Sequence, residues 1–130
     1  MTDQQIEEIY KYWMNASVEA FDTAKVIFEG GRYVHALFFC HLAIEKMLKA
    51  FVVKRTKDHA PYDHNLIKLA ENAGVKFSDQ DMDTIAEINT FNIEGRYDDY
   101  KLKFYKKATK LYAEKYFDEV KRIMLWLKEQ

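Results

Sequence analysis

Four glycines and a single proline are all that punctuate this chain of 130 residues. Helix breakers so scarce commit the backbone to long helices, because nothing else in the sequence stops a helix cheaply. The glycines stand at Gly30, Gly31, Gly74 and Gly95 and the proline at Pro61, which leaves uninterrupted stretches of several turns between them. A hydrophobic share of 48%, with 15% aromatic, is too rich for a disordered chain. At this length one apolar core closes without staples, so a single domain over residues 1–130 is expected. The expected architecture is all-α: an up-and-down four-helix bundle with one additional short helix.

Apolar spacing assigns the helices. Ile6, Ile9, Trp13, Ala16, Ala20, Ala24 and Ile27 form one stripe of a first helix, capped by Thr2 or Asp3 and stopped at Gly30-Gly31. A second helix is predicted from about Arg32 to Lys57. It carries Leu37, Cys40, Ile44, Leu48 and Phe51 on one face, and Phe38, Phe39 and Val52 beyond it. That extra apolar width calls for a second partner. Residues 58–63 read as a loop, His64 to Ala73 as a short helix ended by Gly74, and Ser78 as the cap of a third long helix, with the Asp81 carboxylate reaching back. This helix should fail near Asn92 to Gly95. After the polar turn GRYDDY, a fourth long helix is predicted from about Leu102 to Lys128.

Several kinds of chemistry are set aside. His35 and His41 lie six residues apart and therefore on different sides of a helix, and no carboxylate repeat supports a metal pair. Cys40, the lone cysteine, sits in an apolar run without the basic surroundings of a nucleophile. Gly30-Gly31 lacks the lysine and hydroxyl spacing of a phosphate loop, and no cofactor motif is present. No apolar stretch approaches the ~20 residues of a membrane span, and the opening MTDQQIEEIYKYW has no signal pattern. A cytoplasmic protein with no membrane partner is expected. The formal net charge of -1 gives no global attraction to polyanions. Locally, the run KLKFYKKATKLY from Lys101 sets lysines beside tyrosines, a combination suited to phosphates and stacked bases. Glu45 and Lys49 stand in the favourable order for a helical ion pair. His41 reads as a hydrogen-bonded histidine at the core edge, and His64 as a capping or packing residue.

The order of a Trp13 helix ending in GGRY, then ALFFCHLAIEKMLKAF, HNLIKLA and INTFNIEGRYDD, resembles the HEPN (higher eukaryotes and prokaryotes nucleotide-binding) domain family. The most specific fragments are Ala43-Ile44-Glu45-Lys46 with Lys49-Ala50, His64 with Leu66, and Arg96-Tyr97 with Asp99. The resemblance implies a helical homodimer with a groove lined by the second helix and the turn before the fourth. Phe38, Phe39 or Val52 would be covered at the dimer face. It further implies a minimal nucleotidyltransferase as partner, in a toxin-antitoxin-like pair, and a nucleotide or RNA as ligand.

Two departures limit what carries over. The ribonuclease branch places a histidine beyond its arginine with four to six residues in between, where this chain has Lys101, Leu102 and Lys103 after Arg96. Asp98 stands where related sequences often have proline. The resemblance therefore implies ligand binding by His41, Glu45, Lys49, Arg96, Tyr97 and Asp99, and no catalytic residue. In that groove arginine would grip phosphate, tyrosine would stack on a base and Glu45 would orient the guanidinium. Two alternatives stay open: an Arg96–Glu45 ion pair that only braces the bundle, and a ribonuclease toxin with a displaced catalytic histidine, His41 being the candidate.

Overall fold

A computed structural model describes all 130 residues and contains helices only: α1 (Asp3–Glu29), α2 (Tyr33–Thr56), α3 (Leu66–Ala73), α4 (Asp79–Asn89), α5 (Asp98–Lys107) and α6 (Lys110–Lys128). The helix α2 is the axis of the bundle and packs against α1, α3, α4 and α6. Leu37, Ile44, Met47, Leu48 and Val53 are buried along it. Removing an aliphatic side chain of that size from water stabilises the fold by roughly 1.5–3 kcal/mol.

The α1–α2 contact is close because its seam is small. Ser17, Ala20 and Ala24 are the buried residues of α1, and they meet a helix bearing Ala36, Cys40 and Ala43. At the centre the Ser17 hydroxyl donates to the Ala43 carbonyl at 2.9 Å, which satisfies a buried polar group where a larger side chain would push the helices apart. Phe117 of α6 stacks on Phe21 and Phe28 and so closes the far side of α1.

The caps explain the boundaries. Thr2 and Gln5 form a reciprocal capping box on α1. Gly31 turns the chain at φ +76°, and Asn65, not His64, caps α3 by accepting from Ile67 and Lys68. Ser78 caps α4 through the Asp81 N–H at 3.1 Å. The Asp81 carboxylate does not reach back as expected; it pairs with Arg122 at 2.8 Å and ties α4 to α6.

The expected fourth helix is two helices. α5 already begins at Asp98, within the supposed turn, and Ala108 (φ -80°, ψ 62°) leaves helical geometry before Thr109 caps α6 through the Tyr112 N–H. Phe104 is the only buried residue of α5. It packs on Phe91 with ring centroids 5.7 Å apart, and the Tyr100 hydroxyl donates to the Thr90 carbonyl at 2.6 Å. The expected outer face of α2 is also revised: Val52 is buried within the chain, while Phe38 and Phe39 remain half-buried.

Candidate functional site

Two groups of polar residues stand out. The first lies on α2, where positions 41, 45 and 49 recur every four residues and share one stripe. All three are buried: His41 completely, Glu45 to 4% exposure and Lys49 to 5%. The Glu45 carboxylate is shared between two donors. Lys49 Nζ binds Oε2 at 3.1 Å, and His64 Nδ1–H, delivered by the loop before α3, binds Oε1 at 2.9 Å. Lys49 also lies over the Trp13 ring, 5.3 Å from its centroid, so α1 closes the group.

His41 fastens the same loop from inside. Its Nε2 lies 3.1 Å from the His64 carbonyl; a carbonyl can only accept, so Nε2 carries the proton. Nδ1 is then a buried acceptor with no partner, 3.8 Å from Glu45 Oε1. Burial pushes this imidazole down to about 4, against the pull of the Glu45 charge, and the ring is neutral at physiological pH. It is a core histidine with no surface for a dissolved ligand.

The second group is the α4–α5 corner. Arg96 is exposed. Its guanidinium lies over the Tyr100 ring at 4.8 Å, and Nε makes a long 3.5 Å contact with the Asn92 carbonyl. No carboxylate pairs with it. Tyr97, 86% exposed, precedes the first residue of α5 and gives that helix no side-chain cap. Asp98 and Asp99 occupy its first turn, and the Asp99 carboxylate accepts the Tyr100 N–H at 3.0 Å.

His41, Glu45 and Lys49 are thus brought together, as are Arg96, Tyr97 and Asp99, but no hydrogen bond or ion pair joins the two sets. The bracing Arg96–Glu45 pair does not form. Glu45 is bonded instead to His64, whose place before the short helix reads in the sequence as that of a capping or packing residue. Nineteen positions separate the two, and no local periodicity reports a contact across a loop.

The lysine-rich run is only partly available as a stacking surface. Tyr112 and Tyr116 turn inward against Phe91, and the Tyr112 hydroxyl donates to Glu87, whose carboxylate also holds Lys107 at 2.6 Å. Burial raises the Glu87 pKa, but the hydrogen bonds from Lys107 and Tyr112 outweigh it and leave a net lowering. Tyr112 shifts upward, by burial first and by its bond to Glu87 second. An open cleft of about 720 Å³ beside this break is lined by Lys107, Lys115, Glu114 and Asp118, so its charge is mixed. No three His, Cys, Asp or Glu side chains are grouped to hold a metal ion, and no helix is long and apolar enough to cross a membrane.

Such a bundle, with an α2 polar stripe and an arginine corner between two later helices, defines a class of small helical domain. The HEPN domain model matches residues 10–130, nearly the whole chain. The protein belongs to the HEPN domain family. The structure is similar to the crystal structure of TT1696 from Thermus thermophilus, with a TM-score of 0.76 and 20% identity, covering 92% of this chain and 96% of that one; at that identity the likeness shows the fold alone. Among curated proteins none matches this sequence.

Proposed function

We propose that this HEPN domain is a noncatalytic binding module that acts as a cytoplasmic homodimer and takes a nucleotide or other phosphate-bearing ligand at the Arg96 corner. One observation carries the reading: Arg96 is an exposed guanidinium with no carboxylate partner, set beside the exposed ring of Tyr97. An unpaired planar fork matches two phosphate oxygens, and an aromatic ring offers a face to a base. Asp98 and Asp99 in the same turn disfavour a bare phosphate by like charge. They suit a ligand whose phosphate is accompanied by hydroxyl donors, as the ribose of a nucleotide is. His41, Glu45 and Lys49, buried on α2 and bonded to one another or to His64, are not part of this corner.

A minimal nucleotidyltransferase in a toxin-antitoxin-like pair is the partner this reading favours. The half-buried Phe38 and Phe39 and the exposed Leu102 and Tyr105 are among the apolar groups available to a dimer or partner face. The noncatalytic character is supported by the absence of histidine after Arg96 and by the burial of His41, which deprive RNA cleavage of an accessible acid or base at either position.

Calorimetry with nucleoside triphosphates tests the ligand. Heat of binding that disappears in Arg96→Ala supports the reading, and no heat at millimolar ligand in either protein removes it. Sedimentation addresses the dimer, and incubation with tRNA and mRNA addresses catalysis; cleavage lost in Arg96→Ala would replace this reading with a ribonuclease.

A further inference from the structure

His64 is held in a way that the chain's other exposed histidines are not. Its Nδ1–H donates to Glu45 Oε1 at 2.9 Å, and its own carbonyl is fastened by His41 Nε2 at 3.1 Å. The side chain is nevertheless 62% exposed. A carboxylate on Nδ1 fixes the tautomer, so the free lone pair is on Nε2. Glu45 has little freedom to turn away, because Lys49 holds its other oxygen. His35 and His59 are exposed too, yet neither ring has a hydrogen-bond partner in the structure.

The charges around the ring are mixed: the Glu45 carboxylate against it is itself paired with Lys49 at 3.1 Å. His64 lies two residues before α3, at the positive end of that helix, whose first turn contains Lys68 and no acidic residue. Asp63, the neighbouring carboxylate, is turned onto the Asn65 N–H at 2.9 Å.

We propose that His64 Nε2 is a phosphoryl-accepting position, modified by small donors of the phosphoramidate or acyl-phosphate class. In the transfer the Nε2 lone pair forms the new bond to phosphorus while the bond from phosphorus to its leaving group breaks, and the leaving group takes that electron pair. With phosphoramidate, which reacts as its N-protonated zwitterion, the nitrogen departs as ammonia with the three protons it already carries. The proton on Nδ1 stays in place, and the imidazolium created by the new N–P bond is stabilised by the Glu45 carboxylate against which it already rests. This site is separate from the Arg96 corner and stands whether or not a nucleotide binds there.

The test is treatment of the native protein with potassium phosphoramidate, followed by mass spectrometry of the modified histidines and phosphorus NMR to assign the ring nitrogen. His64 is expected to react at Nε2 about tenfold faster than His35 and His59, a factor that corresponds to about 1.4 kcal/mol of barrier. In urea the advantage should vanish. Glu45→Gln should bring His64 down to the rate of the other two; if that variant does not fold, the comparison among histidines of the wild-type protein decides alone. Equal or slower labelling of His64 in the native protein, or modification at Nδ1, overturns the proposal.

Discussion

Arg55 reaches across Gly74 and donates to the Glu71 carbonyl at 3.1 Å, passing so close that a Cβ on Gly74 would lie 2.6 Å from its Nη1. The end of α2 thereby caps the end of α3, and the left-handed glycine that stops α3 (φ +69°) also makes room for the cap.

Replacing Gly74 with alanine should therefore act twice. The left-handed backbone costs about 1 kcal/mol with a Cβ present, and displacement of the guanidinium loses a further ~1 kcal/mol of hydrogen bonding. Denaturant titration should show a combined loss of about 2 kcal/mol. In an Arg55→Ala background the cost of Gly74→Ala should fall to the backbone part alone.

His41 should make stability depend on pH. The unfolded chain takes up a proton near the ordinary imidazole value of about 6.5, whereas the buried ring resists until about 4. Between those values the unfolded state binds more protons, so stability falls as pH is lowered through this window and levels off below it. The contribution is on the order of 2–3 kcal/mol. Urea titrations at pH 7 and pH 4 should show that much more loss in the wild type than in His41→Asn; equal losses would mean the ring is not held neutral.

Helix α5 should open without the rest of the bundle. It is anchored by Phe104 and by the Tyr100 hydroxyl on Thr90, and regions with few buried contacts exchange at low free energy. Phe104→Ala should expose α5 amides to hydrogen exchange while α2 amides keep their protection. Equal loss in both helices would show that α5 belongs to the cooperative core.

Cys40 should report global unfolding. It is fully buried in the core, and desolvation pushes its thiol up to about 12, which leaves almost no thiolate at neutral pH. Reaction with an aromatic disulfide reagent should be undetectable in the native protein and should appear with the same denaturant midpoint as the loss of helix. Prompt labelling in buffer would contradict the packing of α1 on α2.

Much of the fold was legible because its signals are local. Gly30-Gly31, Gly74 and Ser78 mark helix ends through backbone geometry or one nearby hydrogen bond, and the structure uses them so. The break between α5 and α6 has no glycine or proline. It shows instead as a skipped beat: Phe104 and Ala108 are buried four apart, the next buried residue is Ala113, five further on, and Leu111 between them is 79% exposed. Reading Leu102 to Lys128 as one continuous helix conceals that change of phase. The candidate site divides along the same line. Glu45 and Lys49 follow from spacing on one helix, whereas the bond from Glu45 to His64 depends on how a loop folds back, and periodicity has no access to it.

The central place of α2 also governs how the polypeptide could be divided. A cut in the link between α3 and α4 would leave α4, α5 and α6 in a fragment without the helix they close around. The companion fragment would keep that helix but lose Phe117, Ile123 and Leu127 from its cover. Neither piece contains a complete interior, so the two halves should regain structure only by mutual complementation.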